Sequence, residues 1–266
     1  MEAREILIYF ALKHNGDWQS IYNELTSREK INRTEAKEYL KTLNCRCVTI
    51  LDEDFPDELK KIMKPPFVLF YYGDIGLINQ KEKLISVVGS RHCSSYAEKA
   101  TKDIVSELAS ENIIISGLAI GVDTIAHESA LNNNGKTVAI LGSGIDNCYP
   151  KSNLIIYEKI KENGLLISEY PAKTPPKSEH FPFRNRLIAA LSWGVLIPES
   201  KSKSGTSVTI SHAIQLGKEI MCVPHSYHEY SYNNLLIREG ATLIENAEQV
   251  IEQRPKYFSE KNISYK

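Results

Sequence analysis

From residue 84 onward seven short apolar runs follow one another: LISVVG, NIIISG, KTVAILG, GLLIS, GVLIPE, EIMCVPH and ATLIE. Each is nearly continuous in apolar residues instead of alternating. That pattern fits parallel strands covered on both faces. Helical segments separate the runs, so the strands are joined by right-handed crossovers and form a doubly wound sheet. The expectation is an α/β fold with an extended Rossmann-like, mostly parallel sheet over residues 84–253, and no internal repeat at solenoid spacing. A chain of 266 residues accommodates one such domain and a smaller one.

The smaller one is read at the front. Trp18, Ile21, Tyr22 and Leu25 recur at helical spacing, as do Ala36, Tyr39, Leu40 and Leu43. Asn32, with Glu35 three residues on, is a helix-start signature. Pro56 opens another short helix, where its missing N–H costs little. Residues 1–63 are therefore expected to form a small all-helical, SAM-like domain. The stretch KPPFVLFYYGD extends the chain, because residues before proline avoid the helical region, and residues 64–83 read as a linker or extended segment. The tail RPKYFSEKNISYK, residues 254–266, is polar and expected to fray.

An apolar content of 42% supports a core, and 32 basic residues against 33 acidic ones exclude a surface coated in positive charge. A local basic groove is still allowed, because binding depends on where charge sits. The five cysteines are odd in number and lack C-x-x-C spacing, so neither a disulfide framework nor a zinc site is expected. Cys45 and Cys47 suit buried packing. The opening MEAREILIYFALKHNGD has no signal-peptide pattern, and no run reaches membrane-spanning length. The expectation is a cytoplasmic protein with no membrane contact, no metal and no cofactor.

In doubly wound sheets ligands bind beyond the carboxyl ends of the strands, where strand order reverses. Gly89-Ser90-Arg91 follows the first strand, Gly117-Leu118-Ala119-Ile120-Gly121 the second and Gly142-Ser143-Gly144 the third. Three small loops at one rim permit close backbone approach, and helix N-termini there offer N–H groups to phosphate. Nucleotide fingerprints fail: GSGIDN lacks a third glycine, and NNNGKT leads into a strand instead of leaving one. Asp123 and His127 share a helix face, either as a general-base pair or, the favoured reading, as a capping aspartate and a hydrogen-bonded core histidine. The proline-rich segment SEYPAKTPPKSEHFPFRNRLIAALS is a long strand-to-helix loop of the kind that carries function. It ends in Phe181-Pro182-Phe183-Arg184-Asn185-Arg186, whose rings either stack on bases or anchor the loop. Lys151, after Tyr149-Pro150, and the stretch Lys201-Ser202-Lys203-Ser204-Gly205-Thr206 add cations and small residues to the same rim.

These segments, in this order, resemble the DNA-processing protein A family, DprA, also called Smf. The resemblance runs over about residues 55–245 through FPDELKKIMKPPFVLFYYGD, VVGSR, SGLAIGVDTIAHESAL, VAILGSGIDNCYPKSN, ISEYP, FPFRNRLIAALS, SGTSVTISHAIQLGKEIMCVP and LIREGATLI. It implies a protein that binds single-stranded DNA without sequence specificity. Such a protein protects incoming DNA during natural transformation and loads the RecA recombinase onto it. It also implies a homodimer formed through the C-terminal part of the Rossmann domain, a helical domain in front, and a chain too short for the winged helix that ends some members. The resemblance carries DNA contacts onto Arg91 and Lys151 and places Arg184 and Arg186 on the same rim. The departures are Pro198-Glu199-Ser200 after the fifth strand, His225 after the proline of the sixth, and the tyrosine-rich SYHEYSYNNLLI. They bear on dimer contacts and loop shape. The expected DNA-binding set is Gly89, Ser90, Arg91, Gly117, Gly121, Gly142, Gly144, Lys151, Phe183, Arg184, Asn185, Arg186, Lys203, Ser204, Gly205 and Thr206, with no catalytic residue and no enzymatic activity. The rival reading is a nucleoside monophosphate phosphoribohydrolase with Glu169 or Glu199 as acid–base group. Against it, KSKSGTSVTISHAI has neither the double glycine nor the helix glutamate of those enzymes' PGGxGT loop. A further rival is a protein scaffold that touches DNA only incidentally.

Overall fold

A computed structural model of the chain describes residues 1–27, 30–228 and 231–255. Most of the tail read as fraying, residues 256–266, lies outside the described residues, as do two residues of the tyrosine-rich loop.

All seven apolar runs are strands: β3 (Leu84–Val87), β4 (Ile113–Ser116), β5 (Lys136–Leu141), β6 (Leu165–Ser168), β7 (Gly194–Ile197), β8 (Glu219–Cys222) and β9 (Thr242–Leu243). Every pairing among them is parallel. Side chains alternate between the two covered faces, as the pleat requires. Ile113 and Ile115 of β4 join the cluster that contains Leu187, Ile188 and Ile210, while Ile114 joins Ile104, Val105 and Ala126. The first set belongs to α8 (His180–Leu191) and α9 (Gly205–Gln215), the second to α5 (Ser95–Leu108) and α6 (Val122–Asn132). Helices therefore cover both faces.

The segment read as a linker is corrected by the structure. Residues 68–73 form β2 (Val68–Gly73), which pairs antiparallel with β6; the front region expected to be all-helical is corrected too, since residues 46–49 form β1 (Arg46–Thr49), antiparallel to β2. The physical reason is burial. Leu69 enters the cluster of Leu165 and Ile167, while Val68 and Phe70 enter the one with Leu141 and Leu166. The prolines set the entry to this strand without ending it. The sheet thus has nine strands among the described residues, in the order β1-β2-β6-β5-β4-β3-β7-β8-β9.

In front of it stand α1 (Ala3–Lys13), α2 (Trp18–Ser27) and α3 (Arg33–Lys41), and a single turn of helix, α4 (Asp57–Lys60), follows Pro56. Asn32 caps α3 by accepting N–H bonds from Thr34 and Glu35. Leu7, Ile8, Phe10, Ile21 and Ala36 lie in the same apolar cluster as Val68, Phe70 and Tyr157. Tyr157 sits on α7 (Leu154–Asn163), and α10 (Tyr232–Arg238) and α11 (Ala247–Glu252) complete the chain. From β3 the strands run through β4 and β5 to β6 on one side and through β7 and β8 to β9 on the other. The switch point therefore lies between β3 and β7, where the outgoing loops diverge.

Candidate nucleic-acid interface

A cleft of about 780 Å³ opens at that switch point. One wall is Gly89, Ser90, Arg91 and His92, leaving β3, and the opposite wall is Lys201 with Ser204, Gly205 and Thr206 at the start of α9. The proline-rich loop closes one end with Lys177 and Phe181, and Tyr149 faces Phe181 with ring centroids 5.4 Å apart.

The first wall is held from outside. Ser90 N–H donates to Glu199 O at 2.8 Å, and Ser90 O accepts from Val122 N–H at 3.2 Å. The Glu199 carboxylate accepts from Ser94 N–H at 3.0 Å and Ser94 Oγ–H at 2.6 Å, at the N-terminus of α5. Thr206 Oγ–H donates to Gly89 O at 3.0 Å, tying the two walls together. Arg91 is left exposed, with no hydrogen bond or ion pair among the described residues.

The rim glycines serve a different purpose from the one expected. A Cβ at Gly89 would lie 2.6 Å from Val122 Cγ2, at Gly117 2.5 Å from the Arg184 guanidinium, at Gly142 2.7 Å from the Phe181 ring and at Gly144 2.5 Å from Pro171 O. Gly121 has φ +80°, and a Cβ there would collide with Ser90 O. These residues let the protein approach itself. Gly205, with nothing within 4 Å of a Cβ, is the rim glycine whose backbone is open to a ligand.

Of the two arginines of FPFRNR, Arg186 is corrected more sharply. Both are buried. Arg184 Nη1 donates to Gly117 O at 2.9 Å and to Ile140 O, and Nε donates to Asn185 Oδ1 at 3.1 Å. Burial pushes its pKa down to about 10, so it is still charged at neutral pH. Asn185 Nδ2 in turn donates to Gly205 O at 3.0 Å. Arg186 is gripped by both oxygens of Glu169, donates to Lys64 O through Nε and Nη2 at 3.1 Å each, and lies 3.7 Å over the Phe183 ring. Arg186, with every donor used inside the protein and its charge paired with Glu169, adds no free charge to the rim, and the ring beneath it is an anchor. Arg186 and Phe183 do not line the cleft, whereas Arg184 and Asn185 reach its floor. Lys151 and Lys203 are exposed but stand outside the lining.

His127 takes the favoured structural reading, whereas Asp123, expected to cap the helix, lies in the first turn of α6, whose cap position is Gly121, and braces the preceding loop instead. Asp123 Oδ2 accepts from Gly117 N–H at 3.1 Å and Ala119 N–H at 3.3 Å, which shapes the loop before α6. Burial raises its pKa, against the pull of the Arg184 charge and those two N–H groups. His127 is wholly buried, with Nδ1 2.7 Å from Thr137 Oγ. Because the Thr137 hydroxyl donates to Ile114 O, it accepts from His127, and the proton sits on Nδ1. Burial, then the Arg184 charge, pushes the His127 pKa down to about 3.

His92, Tyr149 and Lys177 line the cleft without having been expected there. The signal for Lys177 was its loop, already singled out for its length. Two of the family departures prove to be partners: His225 Nε2 lies 3.0 Å from Pro198 O. Among the described residues no cluster of three or more metal-ligating side chains occurs, and no helix is long and apolar enough to cross a membrane.

Fold and cleft together define a doubly wound α/β protein with an anion-accessible crevice at its switch point. The family of DNA recombination-mediator protein A matches residues 46–255, more than half of the chain, and the chain belongs to that family. It is 39% identical over 205 residues to DNA processing protein DprA of Streptococcus pneumoniae, covering 76% of this chain and 72% of that one. To the protein of the same name in Bacillus subtilis it is 34% identical over 221 residues, 82% of this chain and 73% of that one. Among solved structures, DprA from S. pneumoniae superposes with a TM-score of 0.77 at 32% identity, covering 94% of this chain and 93% of that one. A Helicobacter pylori structure, described as giving the single-stranded DNA binding mode of DNA processing protein A, superposes with a TM-score of 0.72 at 30% identity, covering 82% of this chain and 98% of that one.

Proposed function

We propose that the switch-point cleft binds single-stranded DNA without sequence specificity. On this reading the chain is a cytoplasmic homodimer, joined through the C-terminal part of its Rossmann-like domain. It protects incoming strands during natural transformation and hands them to the RecA recombinase. The observation that carries the reading is Arg91. Its guanidinium is exposed and unpaired on a wall braced by Glu199 and Val122, across from the open backbone of Gly205. A phosphate between them takes a charge-assisted bond from one side and amide N–H groups from the other. Lys177, Lys201, Lys151 and Lys203 extend the cationic path along the strand. An unpaired base fits beside Tyr149 and Phe181, which a duplex does not supply. Phosphate contacts carry no sequence information, so binding is sequence-tolerant.

The hydrolase alternative loses support from the two carboxylates it needs. Glu199 is bonded to Ser94, the N-cap of α5, and Glu169 is bound to Arg186. A base or acid so engaged is poorly placed to exchange a proton with a ligand.

Fluorescence anisotropy with labelled single-stranded and duplex oligonucleotides over a salt series tests the proposal. Expected are a preference for the single strand, indifference to its sequence, and a log–log salt slope of roughly −0.7 per neutralised phosphate. Failure to bind poly-thymidine at low ionic strength would falsify it.

A further inference from the structure

A second cleft, larger than the first at about 960 Å³, lies between the N-terminal helices and the proline-rich loop. Its helical wall includes Trp18 and Asn15, and its loop wall includes Lys173, Thr174, Lys177 and His180. Lys177 lines both clefts, so the two adjoin across a single side chain. Among the lining residues Lys64, Lys173 and Lys177 outnumber the acids Asp17 and Glu179.

Two buried polar atoms on this wall have no partner: Thr174 Oγ, in a residue 4% exposed, and His180 Nδ1. Burying such atoms unpaired costs free energy that a hydrogen-bonding ligand restores. His180 stacks on Tyr170 at 3.9 Å with an interplanar angle of 14°, and no second ring covers its other face among the described residues. A flat ring with donor and acceptor edges, tethered to a phosphate, matches this set. The free face of His180 takes the base, the Thr174 hydroxyl meets its edge, and the lysines meet the phosphate.

We infer that this inter-element cleft is a second subsite for the same single strand, reached from the switch-point cleft over Lys177 and holding one unstacked nucleotide against the N-terminal helices. The inference rests on the function proposed above. It gives the helices a role in fixing the length of strand engaged.

Lys173 is exposed and lines only this cleft, which makes Lys173→Glu a clean probe. Anisotropy is measured with thymidine oligomers of about four and about twenty nucleotides, the short one matched to a single phosphate-binding groove. Expected for Lys173→Glu are unchanged binding of the short oligomer, about tenfold weaker binding of the long one, and a salt slope shallower by about 0.7. A second readout uses Trp18, since the other tryptophan, Trp193, is buried in the core. Emission should change with the long oligomer and not with the short one, and Trp18→Phe should abolish the change. Wild-type-like binding of the long oligomer by Lys173→Glu, with silent Trp18 emission, overturns the inference and leaves the switch-point site standing. Loss of binding to both oligomers in the wild-type protein removes both readings.

Discussion

Glu169 and Arg186 meet in a two-pronged ion pair, each guanidinium Nη 2.6 Å from one carboxylate oxygen, with both side chains almost wholly buried. Glu169 follows β6 and Arg186 lies on α8, so the pair fastens the far end of the proline-rich loop to the sheet. Removing one partner strands a buried charge, which costs about 3–5 kcal/mol. Glu169→Ala and Arg186→Ala should each lower stability by that order in urea denaturation. The fraction that still folds should bind poly-thymidine with the wild-type salt slope. A shallower slope for Arg186→Ala would return that arginine to the DNA path.

Arg91→Ala is expected to do the reverse. The side chain is exposed and bonded to nothing in the protein, so stability should stay within about 0.5 kcal/mol of wild type. A charge-assisted contact to phosphate contributes about 1.5–3 kcal/mol, so poly-thymidine affinity should fall tenfold or more, with a slope shallower by about 0.7. Unchanged affinity in a folded variant removes Arg91 from the site.

Gly121 and Gly205 separate two uses of glycine. Alanine at Gly121 would sit at φ +80° against Ser90 O. That positive-φ, extended backbone is open to glycine and costs other residues about 1–3 kcal/mol, and thermal unfolding should report at least the lower figure. Alanine at Gly205 meets nothing within 4 Å, so folding should be unchanged. Poly-thymidine binding should weaken, because the methyl group occupies the approach to the amides of α9. Equal effects on stability at both positions would contradict this division.

How much of this was legible in the sequence follows from what sets each feature. The parallel strands were readable because burial on both faces writes itself locally, as in Ile113-Ile114-Ile115. β2 escaped because its prolines suggested a linker, and its pairing with Leu165–Ser168 is a long-range fact with no local trace. Gly89-Ser90-Arg91 was legible as the turn after the first strand and does line the cleft, but the reason given for the glycine holds only in part, since the space at Gly89 is filled by Val122 and Glu199. Arg186 looked free because nothing near it in sequence announces Glu169, seventeen residues earlier. A cation's partner is set by topology, and the same holds for Lys177, whose place on two clefts depends on how the loop folds back.

The buried imidazole of His127 makes stability depend on acid in a definite direction. In the unfolded chain it titrates near 6.5, and in the fold near 3. Between those values the unfolded chain binds a proton that the folded one refuses. The stabilising contribution is complete above pH 6.5 and is lost as the pH falls toward 3. Going from pH 7.5 to 5.0 this one site should remove about 2 kcal/mol. His180 and His212, also lowered by burial, add to the loss, so a comparison isolates His127. In His127→Gln the amide can still bond Thr137 but takes up no proton, so urea midpoints should fall less between these two pH values than in the wild type, by the equivalent of about 2 kcal/mol. Parallel pH dependence in the two proteins would mean that His127 takes up its proton within the fold as readily as in the unfolded chain.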